Sequence, residues 1–472
     1  MNLALRLWNL NSPAALVFDE VHYVPFAVDY LQQQPFFDVH PPLGKYLIAF
    51  GIDLYQVLGL PDQGLLVNGM ALNPISYRWP NALLGSFIPV VALWMAWTWT
   101  VGMPLRRRRC FAALAGLLTS WDGFTLVESR LGLLHPVMIL LGLLALGAWG
   151  QSRDARYPWR WRLLTGIALG GAIAVKWNGA GYLLALALSE WFSTPPAPLI
   201  KGGGDRRGDQ ATLDFSKGQV SSKRALPWLW LLGIPFGVYS LLWIPHLHLV
   251  GVGFWEMHRT ILEAHLGLAA THSYQSAWFT WPLMIRPIAY FYQGLGPGDA
   301  LGLIGPPLPN PNRAVALYGM GNPILWWLST AAVVVGALQV VTGWWPRRRS
   351  PQTILAALRQ GQPLVSVTHT TSAEQTVQRF LLMAYGANWL PWVVVQRSTF
   401  LYHYQPAALM AELFLAWQIS RWLTSRRRSW RFWGWGLLVL VFISFCFWLP
   451  LWIGWPLPLQ TLGWRWWLPS WI

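Results

Sequence analysis

Residues 433–453 read WGWGLLVLVFISFCFWLPLWI, twenty-one positions without a charged side chain, and just before them stand Arg426, Arg427, Arg428 and Arg431. A helix rises about 1.5 Å per residue, so roughly 20 mostly apolar residues cross the hydrocarbon layer of a bilayer. Arginines gathered at one end of such a run mark the cytoplasmic side. Similar runs recur at 79–101, 111–129, 131–149, 163–177, 179–197, 225–245, 323–345, 379–395 and 405–423, which makes ten spans. They are expected to be helices, because a backbone in lipid must satisfy its own hydrogen bonds. The alternation of a membrane barrel, over segments of about ten residues, is absent.

Composition leads to the same class. Of 472 residues 54% are hydrophobic and 11% charged, where a soluble domain carries about 25% charged residues. The mean hydropathy is +0.36. So few charges do not cover a soluble protein of this size, and so apolar a chain is not disordered. Two cysteines, Cys110 and Cys446, exclude a disulfide scaffold. The net charge of +16 resembles that of a nucleic-acid binder. Here, however, the basic residues sit in short clusters between apolar runs, which needs no nucleic acid as partner.

Those clusters orient the chain. Arg106–Arg109, the stretches 151–162 and 201–224, Arg347–Arg349 and Arg426–Arg431 all reach the cytoplasm if the spans alternate. The segment 163–197 must then cross twice, with Lys176-Trp177-Asn178-Gly179 at its outer turn. The opposite face receives an acidic first loop, 11–78, a large loop, 246–322, the turn near Ser129-Arg130, the segment 396–405 and the C-terminal tail. Residues 199–224 and 346–378 read as cytoplasmic linkers of a single membrane domain, 1–472. Met1–Leu10 is too short to span and lacks the features of a signal peptide.

Polar motifs gather on the outer face. Asp19-Glu20 is an acidic pair suited to general-base work or to holding a metal, or else a solvated loop with Asp19 capping a helix. His40 and Lys45 lie in FFDVHPPLGK, residues 36–45, where two prolines and a glycine fix the chain direction. They offer a titratable group and a cation, or a rigid turn with Lys45 reaching to the interface. Arg130 and Lys176 stand near span ends, where a cation is costly and so a functional candidate, though it can also snorkel to the surface. His135 and Asp122 read as structural. His258, His265 and His272 recur every seven residues but lack close metal-ligand spacing. Arg286, in the large loop, is a candidate contact for phosphate or sugar. Arg397, Tyr402 and His403 pack a cation, a phenol and an imidazole into residues 396–406, where an aromatic interface belt explains the tyrosines but not the pairing of Arg397 with His403.

Taken together these motifs resemble those of the protein O-mannosyltransferases, glycosyltransferases of family 39 with the GT-C fold. The resemblance rests on FDEVHY at 18–23 with FDVHPPLGK at 37–45, Ser129-Arg130-Leu131, VKWNG at 175–179, TFLYHY at 399–404, and the stretch from His272 to Arg286-Pro287. It implies an all-α polytopic membrane enzyme with its active site in the outer loops. The donor is a polyprenyl- or dolichyl-phosphate-mannose and the acceptor a Ser or Thr hydroxyl of a protein. Asp19 becomes the catalytic base with Glu20 in support. Arg130, Lys176 and Arg397 become ligands of the donor phosphate, and His40, Lys45, Arg286, Tyr402 and His403 bind or support substrate. Direct displacement implies inversion at the sugar carbon. No metal site and no cofactor is expected, since cations serve the leaving phosphate and no Asp-x-Asp dipeptide occurs.

The family has one more span than the ten read here, which implies a first helix upstream of Met1. The loop 246–322 is too small for the β-trefoil MIR domain of eukaryotic members, so the resemblance is to a prokaryotic enzyme of the cytoplasmic membrane. Position 135 is His where many relatives carry Asp. Two other readings stand beside this one. One is a related GT-C transferase with another lipid-linked sugar, or with a lipid or glycan acceptor. The other is a transporter of lipid-linked sugars, against which stands the gathering of polar motifs on one face.

Overall fold

A computed structural model describes residues 1–193, 227–267, 271–295, 312–344 and 373–472. The linker expected at 199–224, most of that at 346–378 and the basic residues Arg347–Arg349 lie outside the described residues. The helices, in chain order, are α1 Asn2–Leu7, α2 Glu20–Leu31, α3 Leu43–Val57, α4 Pro74–Ser86, α5 Ile88–Thr98, α6 Leu105–Ser120, α7 Gly123–Ser129, α8 His135–Ser152 and α9 Pro158–Val175. They continue with α10 Ala180–Ser193, α11 Ile234–Val250, α12 Phe254–Gly267, α13 Pro323–Trp344, α14 Ala373–Trp389, α15 Gln405–Leu423, α16 Arg428–Ile453 and α17 Leu459–Gly463. Strands β1 Leu65–Val67 and β2 Met70–Leu72 form a hairpin. Strands β3 Ile288–Leu295, β4 Arg313–Gly319 and β5 Leu457–Pro458 form an antiparallel sheet.

The bundle is helical, as the apolar runs require. Five rods among the described residues are long and apolar enough to cross a membrane: Pro74–Thr98, His135–Ser152, Leu229–Val250, Pro323–Thr342 and Arg428–Ile453. α6 and α7 qualify together as a sixth, bent by 58°. This is fewer than the ten spans expected. Helices also stand at the other four positions, but α9, α10, α14 and α15 are only 18, 14, 17 and 19 residues long and carry more polar side chains. For α15 the reason is its place in the bundle. Residues from Gln405 to Ser420 are all buried, against α6, α13, α14 and α16. A helix screened from lipid has no need of an apolar outer face, so Gln405, Glu412 and Gln418 are tolerated in it.

Side-chain contacts tie the rods together at two ends. At one end Arg107, on the first turn of α6, pairs with Glu374 on α14 and donates to Thr424 Oγ1 just past α15. At the same end Arg153, after α8, pairs with Glu190 on α10 at 3.3 Å. The described basic clusters therefore share a face. At the other end the close of α9 meets the start of α8, and the close of α7 meets the close of α16. The sheet lies here as well. It was not anticipated, although IAYFYQGL and RAVALYG have the β-branched and aromatic content of strands. It joins the large loop to the C-terminal tail, pairing Ala314 with Leu457.

The bend between α6 and α7 aims the second half of that rod at the site described below. Asp122 causes it, because its carboxylate accepts from the N–H groups of Phe124 and Thr125 at 3.3 and 2.8 Å. A side chain that caps a new helix ends the old one. The structural reading of Asp122 fits this placement. Gly123 follows, and a Cβ there would lie 1.8 Å from the Trp452 ring. Gly123→Ala is therefore expected to overpack the bend by about 1–3 kcal/mol. Thermal unfolding in detergent should show a lower Tm, partly recovered by Trp452→Leu; an unchanged Tm in the single variant would contradict this packing.

Candidate active site

Asp19 occupies the N-cap position of α2, yet its side chain makes no capping bond. The chain turns sharply before it, with Phe18 at φ +52, a conformation that aromatic residues rarely adopt. That turn packs the Phe18 ring on Tyr290, with centroids 4.6 Å apart, and sets it near Tyr402. The Asp19 carboxylate is left facing the site, where among the described residues its one hydrogen-bond donor is the Tyr23 hydroxyl, at 3.3 Å from Oδ2. Burial pushes its pKa above the usual carboxylate value, and the charges of Lys176, His135 and His22 oppose that shift.

Glu20 has a different part. Both of its oxygens are occupied, by Arg78 Nε and Nη2 at 2.8 and 2.7 Å and by the N–H groups of Gly132 and Val17 at 2.7 and 2.8 Å. It is fully buried. With both oxygens so engaged, the Glu20 carboxylate ties the Asp19 loop to α4 and to the α7–α8 turn, a supporting position rather than one that meets substrate.

Lys176 is the residue at which α9 stops, extended at φ −159 and ψ 138 before a short 3-10 turn, Trp177–Gly179. Its ammonium donates to His135 Nε2 at 2.9 Å and lies 4.7 Å from the centre of the Tyr402 ring. His135 Nδ1 is 3.1 Å from Glu128 Oε2, and Tyr290 donates to Glu128 Oε1 at 2.5 Å. With Lys176 donating to Nε2, His135 Nδ1 faces Glu128 Oε2 as a close polar contact and not as a hydrogen bond. The buried series Tyr290–Glu128–His135–Lys176 surrounds one cation. His135 thus lies within the site, with Nε2 bonded and Nδ1 without a hydrogen-bond partner among the described residues. Glu128 and Tyr290 were missed. The signal for Glu128 was present, since an acid inside an apolar run is a functional candidate by default.

Lys176 also lines a cavity of about 740 Å³. Its lining includes the polar residues His40, His265, Asn178, Gln396 and Arg397 and the apolar residues Leu184, Leu262 and Val394. Arg397 is half-buried there, with a long 3.4 Å bond from Nη1 to the Ser398 carbonyl. His40 faces His265 with ring centroids 6.1 Å apart. Burial and then the nearby cations push the His40 pKa below its ordinary value, so the ring is neutral. Tyr402 forms the floor under Lys176. His403 accepts from the Phe400 N–H at 3.0 Å and packs on Trp392, which makes it a support for the turn that carries Tyr402.

Three expected ligands are not in this cavity. Arg130 sends Nη1 to the carbonyls of Leu5 and Trp8 at 2.6 and 2.7 Å and Nη2 to that of Ile453 at 3.2 Å. Its guanidinium closes the C-terminal ends of α1 and α16, whose last carbonyls have no partner within the helix. In this structure the guanidinium is engaged by backbone carbonyls and does not line the cavity. Lys45 clamps Asp38 together with the carbonyls of His40 and Pro41, so it shapes the turn that presents His40 rather than meeting substrate. Arg286 bonds the carbonyls of Ser470 and Ser273 and joins the large loop to the tail. His258 and His265 share α12, while His272 lies beyond it beside Phe400. Among the described residues no three His, Cys, Asp or Glu side chains gather as a metal site.

Comparison with known proteins agrees with this arrangement. Residues 1–195 match the family described as dolichyl-phosphate-mannose-protein mannosyltransferase. Residues 252–471 match the C-terminal four TMM region of protein-O-mannosyltransferase. A polyprenol-phosphate-mannose–protein mannosyltransferase of Mycobacterium tuberculosis is 27% identical over an alignment covering 99% of this chain and 88% of the relative. One from Mycolicibacterium smegmatis is 23% identical over 99% of this chain and 90% of the relative. Among solved structures, the Saccharomyces cerevisiae Pmt1-Pmt2 complex bound to the sugar donor superposes with a TM-score of 0.76 at 16% identity, covering 100% of this chain and 91% of that one. ArnT from Cupriavidus metallidurans, bound to undecaprenyl phosphate, gives 0.50 at 14% identity, covering 94% of this chain and 62% of that one. The fold is thus a polytopic, GT-C-like helical membrane fold, and the chain belongs to the protein O-mannosyltransferase family.

Proposed function

We propose that this protein transfers mannose from a polyprenyl-phosphate-mannose donor to Ser or Thr hydroxyls of acceptor proteins, on the membrane face opposite its basic clusters. One observation carries the reading: the uncapped Asp19 carboxylate stands within electrostatic reach of Lys176, a cation that lines a cavity with both polar and apolar side chains in its wall. Family membership and the mycobacterial relatives, which match along 99% of the chain, support the donor and acceptor.

In this reading the polyprenyl chain follows Leu184, Leu262 and Val394, and the donor phosphate lies between Lys176 and Arg397. The acceptor oxygen attacks the anomeric carbon while Asp19 takes its proton. The bond from that carbon to the phosphate oxygen breaks, and the phosphate leaves with the electron pair. A single displacement inverts the sugar carbon. Fixed positive charge stabilises the leaving group, and it costs little reorganisation because Tyr402 and the His135–Glu128 pair already hold Lys176. His40, neutral, is left to donate or accept a hydrogen bond at the cavity wall.

The ten-crossing topology is part of the proposal. The ten helical rods run alternately between the end with the described basic clusters and the end with Asp19, and the positive-inside rule puts the former in the cytoplasm. The site then faces outward across the cytoplasmic membrane of a prokaryote. The short rods α9, α10 and α14 span by packing against longer neighbours, and the protein is one membrane domain.

Two outcomes test the assignment. The base must be ionised, so kcat/KM falls as pH drops through the Asp19 pKa, at a pH above the ordinary carboxylate value of about 3.9. Lys176 lowers that pKa through its charge. Lys176→Met should therefore move the acid limb to higher pH, and a limb that stays in place would separate the two groups. The same variant should lower kcat/KM for the lipid donor by roughly 10²-fold, the scale of losing one transition-state charge contact. Arg130→Ala should lower the Tm and leave the donor KM near that of the wild type. A donor defect in Arg130→Ala, with Lys176→Met unaffected, would reverse the assignment.

A further inference from the structure

The end of the bundle opposite Asp19 has a groove that the transfer reaction does not use. It measures about 460 Å³ and runs between α6 and α16, with Leu423 and Thr424 at the end of α15 as its floor. Arg106, Leu114 and Leu117 line one wall; Arg431, Trp435 and Leu438 line the other. On each helix these positions form a single stripe, spaced by three, four or eight residues. A cation thus begins each stripe, and the wall beyond it is apolar.

The charge at this place is unbalanced. Glu374, an acid close to this groove, is taken by Arg107 and approached by Arg421. Arg106 and Arg431 have no hydrogen-bond or ion-pair partner among the described residues. Both helices also begin here, at Leu105 and Arg428, and neither has a side-chain cap. Their free N–H groups and positive dipole ends add to the two guanidinia. A site with anion-binding groups at its mouth and a hydrocarbon wall beneath matches one ligand class in a bilayer.

We propose that this groove binds one anionic glycerophospholipid, its phosphodiester between Arg106 and Arg431 and an acyl chain along Leu114, Leu117 and Leu438. Charge complementarity selects the occupant. A zwitterionic lipid brings a cation of its own toward two guanidinia. A free phosphate meets the cations and leaves the apolar walls uncovered. The site stands on this geometry alone and is independent of the transfer reaction.

The protein carries a reporter, because Cys110 lines the groove and is half-buried, while the second thiol, Cys446, is exposed on α16. We would purify the full chain with Cys446→Ser, exchange it into neutral detergent until delipidated, and follow N-ethylmaleimide labelling of Cys110. Phosphatidylglycerol at ten times its Kd should slow labelling about tenfold. Phosphatidylcholine and inorganic phosphate should leave the rate unchanged. Arg106→Gln with Arg431→Gln, compared with and without lipid, should lose the protection. The lipid comparison on the Cys446→Ser protein decides the matter even if the double variant folds poorly. Equal protection by both lipids, protection by inorganic phosphate, protection that survives the double variant, or none with phosphatidylglycerol would each overturn the proposal.

Discussion

Arg78 is the residue around which the site is assembled. Its five N–H donors all find acceptors: both oxygens of Glu20, and the carbonyls of Leu10, Pro13 and Ala15. Both partners of the ion pair are fully buried. Breaking such a pair by removing one member costs about 3–5 kcal/mol, because the other charge stays buried and unpaired. The consequence is positional. Residues 10–19 have no regular structure of their own, and this one guanidinium fixes them on α4, while Glu20, the first residue of α2, fixes them to Gly132 within the α7–α8 turn. Asp19, next in sequence to Glu20, inherits that placement.

That turn joins Glu128, on α7, to His135, at the start of α8, so the anchor of the carboxylate and the anchor of the cation share one stretch of backbone. Lys176 reaches it from α9, through His135. The proposed base and the proposed phosphate-binding cation are thereby held by fixed neighbours rather than by each other. That separation matters chemically. If Asp19 and Lys176 formed a tight pair, neither would be available to substrate. Here Asp19 has one hydrogen-bond partner among the described residues, Tyr23 at 3.3 Å, and Lys176 rests on the His135 imidazole and an aromatic face. The cost of holding a carboxylate half-buried appears in its raised pKa, which also makes it a stronger base.

The sequence reveals some of this and hides the rest for physical reasons. Apolar runs place the helices because lipid exposure imposes a composition. They overstate the number of long apolar spans because a central helix such as α15 answers to its neighbours instead. Asp19 is recognisable as part of an acidic pair in the first outer loop, and Lys176 and Arg397 as motif residues beside span ends. Arg130, Lys45 and Arg286 read equally well as ligands, because a cation looks the same in sequence whether it faces a phosphate or a set of carbonyls. The carbonyl of Ile453 that Arg130 meets is 323 residues away. Tyr290, 162 residues from Glu128, is hidden for the same reason. Glu128 was within reach of reasoning, since an acid seven residues before His135 in an apolar stretch needs a partner.

The central claim is that Asp19 activates an acceptor hydroxyl for attack on a lipid-phosphate-linked mannose. The direct measurement uses purified protein, radiolabelled polyprenyl-phosphate-mannose and a Ser/Thr-rich peptide, with wild type and Asp19→Ala side by side. The account predicts label on the peptide with the wild type, and a rate lower by about 10²-fold or more in the variant, the scale of general-base loss. Near-normal labelling by Asp19→Ala, or donor consumed by the wild type with no label on the peptide, would contradict it.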